Sequence, residues 1–164
     1  MEIDWLGAVL ALVAGMAVAM AWYSKRGFGL VWWRLTGITP EQSKQASPRN
    51  LVQLLVANGV TAVGLAAAVG TTSKATGDDG VWLALLVGVV AWLAFSASTL
   101  LQHNAFELKP PKLTLINSSY QLVLFLAMSL VIGLLSAMPR GLRRGGWRSG
   151  ASRSRCGCRR RWCR

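Results

Sequence analysis

Six side chains could do chemistry within or at the edge of otherwise apolar stretches of this chain: Asn58, His103, Glu107, Asn117, Tyr120 and Gln121. Burying an amide without a partner costs on the order of 1 to 3 kcal/mol. Asn58, Asn117, Tyr120 and Gln121 are therefore expected to point at one another or at water. Two kinds of chemistry are open to them. One is an interhelical hydrogen-bond network worth roughly 0.6 kcal/mol per contact; the other is a ligand or ion site. His103 is the only histidine and stands beside Gln102, Asn104 and Glu107, where it is either a solvated interfacial side chain or a proton carrier. The signatures of catalysis are missing. There is no Gly-x-Ser-x-Gly elbow, no phosphate-binding Gly-rich loop with its Lys, no His-Glu-x-x-His helix, and no carboxylate pair in the apolar runs. We expect no enzyme and no cofactor. Cys156, Cys158 and Cys163 offer three thiols without a nearby fourth ligand, so no metal site is expected either.

The elements that must position these residues are set by hydropathy. Of the 164 residues, 53% are hydrophobic and 15% charged, too apolar and too charge-poor for a soluble domain. Uncharged runs cover about 5–23, 51–70, 81–101 and 115–137. Nineteen helical residues rise roughly 28 Å, about one hydrocarbon thickness. The expected fold is an all-α membrane protein, a bundle of four transmembrane helices with a short interfacial helix between spans one and two. That short helix is placed in residues 24–50, where Phe28, Trp32, Trp33 and Leu35 surround Arg34. Thr39-Pro40-Glu41-Gln42 reads as a capped helix start leading to a short helix before Ser47-Pro48. A polar turn is expected at 71–80, and Pro110-Pro111 forbids a continuous helix between spans three and four. Small residues mark packing seams where helix backbones can approach closely. They are Gly7, Ala11, Gly15 and Ala19 on span one, Ala62, Ala66 and Gly70 with Asn58 on span two, and Ser129 and Gly133 with Asn117 and Gln121 on span four.

Charge divides the chain at about residue 138. Ten of the 18 basic residues are arginines from Arg140 onward, so the formal +12 belongs mostly to the tail. Residues 139–164 hold Arg, Gly, Ser, Cys and Trp with no lysine and no acid. This composition predicts disorder and fits a frame-shifted or mis-called C-terminus, an anionic-lipid-binding extension, or an inert one; nucleic acid is not expected as a partner. Loops one and three carry Lys25, Arg26, Arg34, Lys44, Arg49, Lys109 and Lys112, whereas the opposite face of the body has Lys74 alone. By the positive-inside rule those loops are cytoplasmic and both termini lie outside a cell membrane. Ala17-Val18-Ala19 resembles a cleavage site, but Glu2 and Asp4 replace the basic leader of a signal peptide, so span one is read as a retained helix.

Several residues carry a family resemblance. They are Asp4-Trp5, Trp22-Tyr23-Ser24, Phe28-Gly29, Trp32, Leu35-Thr36-Gly37-Ile38-Thr39, and Leu115-Ile116-Asn117 with Tyr120. Over residues 1 to 137 the chain resembles the bacterial integral membrane family catalogued as domain of unknown function 1761. The resemblance implies a small four-helix membrane protein and supplies no catalytic residues. Lys25 departs from the Pro that tends to follow Trp-Tyr-Ser, and Gln121 from a His that often follows the Asn-x-x-Tyr run, which weakens a proton-handling role for span four. The function expected is that of a non-enzymatic structural or interaction protein of the bilayer, with a homo-oligomer as one partner arrangement open to it. The alternative is a small-molecule or ion transporter acting as an oligomer around the amides.

Overall fold

The computed structural model describes residues 4–24, 26–108 and 110–138. The arginine and cysteine tail, for which disorder was expected, lies outside the described residues, as do Lys25 and Lys109. Helix α1 spans Trp5–Trp22, α2 Gly29–Thr36, α3 Pro40–Thr76 and α4 Val81–Ala91. A π-helical turn at Trp92–Ala97 joins α4 to α5, Ser98–Phe106, and α6 spans Pro111–Ala137. No strand occurs among the described residues. Four helical stretches are long and apolar enough to cross a membrane: Trp5–Trp22, Ser47–Thr76, Val81–Phe106 and Pro111–Ala137. Their outward faces carry exposed Trp5, Val60, Trp82 and Phe95, apolar surface that water would penalise and lipid accepts. This is the build of an all-α membrane protein, with the short α2 between its first two spans.

Local chemistry sets the boundaries. The Asp4 side chain accepts from the Gly7 amide at 3.2 Å and so caps α1. At the other end the chain folds back tightly. The Phe28 amide reaches the Trp22 carbonyl at 2.9 Å, and a Cβ on Gly27 would meet the Ala21 carbonyl oxygen at 2.8 Å. Gly37 ends α2 in the left-handed region at φ 70. Thr39 and Gln42 form a reciprocal capping box, the Thr39 amide donating to Gln42 Oε1 at 3.0 Å and the Gln42 amide to Thr39 Oγ1 at 3.3 Å.

The structure differs from the sequence reading in three places. First, Pro48 does not separate two helices, because α3 runs through it as one 37-residue helix. The missing proline amide orphans the carbonyl four residues back. That residue, Lys44, is exposed, where water can take the bond. Second, α3 continues to Thr76, shrinking the turn to 77–80. The hydroxyls of Thr71, Thr72 and Thr76 bond back to carbonyls four residues earlier at 2.8 to 2.9 Å, so they do not compete with the helix, which stops at Gly77 with φ 73. Third, the third span extends to Phe106 through a π-helical turn. There Trp92 donates its indole N–H to the Ser118 carbonyl of α6 at 3.1 Å.

Helix α6 is central, packing on α1 along one side and on α4 along another, while α3 covers α1. Its Leu124, Met128 and Ile132 are fully buried. Glycines admit them. A Cβ on Gly15 would overlap Met128 and meet Leu124 at 3.2 Å, and one on Gly88 would overlap Ser129 Oγ. Val81, opening α4, lies against Gly133 near the end of α6, and Asn104 near the end of α5 bonds Thr114 at the start of α6. The third span and α6 therefore run antiparallel.

Candidate functional site

The polar and aromatic residues gather where α1 ends, α6 begins and α2 lies across both. Tyr23 follows the last turn of α1, and its hydroxyl donates to Asn117 Oδ1 of α6 at 3.4 Å. One turn further along α6 is Tyr120, 5% exposed. Its ring centroid lies 5.0 Å from that of Tyr23 and 6.4 Å from that of Trp22. Helix α2 closes the group from above, with the Trp32 ring edge-on to Tyr23 at 5.6 Å and Phe28 against Trp22 at 4.7 Å. From α3, buried Asn58 stands beside the Tyr120 hydroxyl, yet its amide donates to the Met16 sulfur at 3.5 Å. The Trp22 indole nitrogen and the Ser129 hydroxyl are buried and meet no hydrogen-bond partner among the described residues, and the Tyr120 hydroxyl has the Asn58 side chain beside it without a bond of good geometry.

Not all the residues singled out from the sequence meet here. Asn58, Asn117 and Tyr120 belong to this corner, whereas Gln121 is half-buried and its side chain makes no hydrogen bond among the described residues. His103 and Glu107 pair with each other at 2.9 Å, four residues apart on α5 and its cap, both exposed. Among the described residues no group of three potential metal-binding side chains forms, and the three cysteines lie outside them. Of the small residues, Gly7, Ala11, Gly15 and Ala19 are all buried on α1, with Gly7 beneath the Asp4 cap. Ala62 and Ala66 are buried on α3. A Cβ on Gly133 would meet Ala84 at 2.8 Å, whereas one on Gly70 would meet nothing within 4 Å, so Gly70 is no point of close helix approach. The sequence reading did not weigh Trp22, Tyr23, Met16, Asn104, Thr114 or Gly88 as site or seam residues. Trp22 and Tyr23 did carry a signal, an aromatic pair closing span one just before a turn that needs glycine.

The corner is built from the distinctive short motifs of the chain. Ser24 accepts the Gly27 amide at 3.2 Å while donating to the Ala21 carbonyl at 2.7 Å, which shapes the turn bringing Phe28 and Trp32 over Tyr23. Gly37 and Thr39 end one helix and start the next. The family model described as "Protein of unknown function (DUF1761)" matches residues 6–133. The chain belongs to this family. The DUF1761 match takes in the whole corner and nearly all of the four long helices, and it leaves out the arginine-rich tail. No curated protein and no solved structure matches the chain.

Proposed function

We propose that this DUF1761 member is a non-enzymatic, multi-pass protein of the cell membrane with a structural or partner-holding role. The observation supporting this is that its intramembrane amides bond to the chain's own atoms: Asn117 to Tyr23, Asn58 to Met16 and Asn104 to Thr114. Each bonded to a side chain of another helix or turn, these amides join elements of the bundle, as interhelical hydrogen bonds do. No catalytic step is assigned to any residue. The test is purification in mild detergent followed by sedimentation and reconstitution into vesicles. A stable complex with itself or with a defined partner, and vesicles no leakier to small solutes than empty ones, is the expected result. Saturable solute flux would favour an oligomeric transporter instead, a reading supported by half-buried Gln121, whose side chain makes no hydrogen bond among the described residues.

In the same reading loops one and three face the cytoplasm, because seven basic residues lie there against Lys74 on the other face of the body. Both termini are then outside.

A further inference from the structure

Basic side chains without acidic partners lie at the end of the bundle where α1 finishes and α3 and α6 begin. Arg26, Arg34, Lys44, Arg49 and Lys112 are all exposed, and none takes part in an ion pair among the described residues, where the one pair is His103 with Glu107. Glu107 is thereby engaged. Glu41, in the first turn of α3, stands eight residues before Arg49, about 12 Å farther out along the helix.

Three of these bases share one depth. Arg49 is two residues into the apolar stretch that opens at Ser47, Lys112 one residue into that opening at Pro111, and Arg26 four residues past that closing at Trp22. The packing agrees. Asn58 of α3 stands beside the Tyr120 hydroxyl of α6; nine residues back along one helix and eight along the other are rises of about 12–14 Å, which bring Arg49 and Lys112 level. Bases placed where a span leaves the hydrocarbon extend their charged ends to the phosphate layer.

Helix α2 decides what kind of anion meets them. Phe28, its N-cap, and Leu30 and Val31 in its first turn are each 44% exposed, apolar surface turned outward on the same short helix as exposed Arg34. Trp32, edge-on to Tyr23 at 5.6 Å, holds that helix against the end of α1. A helix of this mixture lies in the interface, with apolar side chains among the acyl chains and its base at the phosphates. A dissolved anion would meet the arginine and leave Phe28, Leu30 and Val31 in water.

We infer that Arg26, Arg34, Arg49 and Lys112 form a docking surface for anionic phospholipid headgroups, with α2 embedded beside them. Guanidinium groups take phosphate oxygens in pairs, and Lys112 adds a point charge. The inference goes beyond the structural role proposed above. It depends neither on a protein partner nor on which side of the membrane is cytoplasmic.

The experiment uses the full chain, its three tail cysteines replaced by serine, in phosphatidylcholine nanodiscs with the same lipid in both leaflets. A bimane on Val52→Cys, exposed and three residues past Arg49, is quenched by nitroxide-chain phosphatidylglycerol or nitroxide-chain phosphatidylcholine at equal low fraction. Helix α6 ends at Ala137 on the opposite face, so the probe reads the leaflet away from the arginines that follow. At low salt phosphatidylglycerol is expected to be enriched about threefold or more over phosphatidylcholine at the probe. The ratio should fall toward one in high salt, and likewise in a chain carrying Arg26→Gln, Arg34→Gln, Arg49→Gln and Lys112→Gln. Equal quenching by the two lipids at low salt overturns the inference. So does a preference that inorganic phosphate abolishes at constant ionic strength, since the surface then takes a free anion. A preference that persists in the substituted chain also overturns it, because charges elsewhere then hold the lipid. Should that chain fail to fold, the salt response of the unsubstituted one decides, and a ratio unmoved by salt overturns the inference.

Discussion

Asn117 and Asn58 hold the corner by weak bonds, and their substitution should be correspondingly mild. The Tyr23–Asn117 contact at 3.4 Å is long for a hydroxyl donor, and Asn58 has only a thioether as acceptor. Asn117→Leu and Asn58→Leu are each expected to lower stability by no more than about 2 kcal/mol, read from denaturant unfolding in detergent by circular dichroism. A much larger loss would show that either amide does more than join helices. These residues were visible in the sequence because an amide inside an apolar run is conspicuous. Their actual partners were not, because a tyrosine and a tryptophan ending a span look like ordinary interface anchors until a turn folds α2 over them. Gln121 stands outside the corner for the complementary reason: one helical turn from Asn117 puts it on the same stripe, yet the buried line of α6 runs through Tyr120, Leu124 and Met128.

Between elements, backbone approach decides the energetics, and the glycines sort cleanly. Gly88 and Gly133 face Ser129, Ala84 and Val81 with no space for a side chain. Gly88→Val and Gly133→Leu should each cost about 1–3 kcal/mol through overpacking. Gly64, around which a Cβ meets nothing within 4 Å, provides the contrast. Gly64→Ala should be neutral or raise stability by up to about 1 kcal/mol, and the same unfolding assay separates the three variants. At the start of α3, Thr39→Ala removes one half of the capping box and should cost about 1 kcal/mol, seen as faster amide exchange at Gln42. That box was legible because all its parts lie within four residues. The path of α3 through Pro48 was not, since whether one lost backbone bond stops a helix depends on access to water at Lys44, a property of the fold.

At the scale of the whole molecule, orientation is the first quantity to measure. We expect Gln45→Cys to be protected and Ala75→Cys to be labelled from outside intact cells, in a background lacking the three tail cysteines; both positions are exposed, near opposite ends of α3. The reverse pattern overturns the orientation proposed above, and repeating the assay on a chain ended after Met138 shows whether the arginines contribute. Helix α3 also has a mechanical consequence. Its 37 residues make a rod about 55 Å long, against a hydrocarbon layer about 30 Å thick. Charged, exposed Glu41, Lys44 and Arg49 keep its first turns out of the lipid, so one arm of the rod stands clear of the bilayer. Deep in the same rod sits Asn58, beside Tyr120. The outer arm and the corner thus share one continuous helix, and Pro48, where one backbone bond is missing, is the point at which the arm bends most easily relative to the part that carries Asn58.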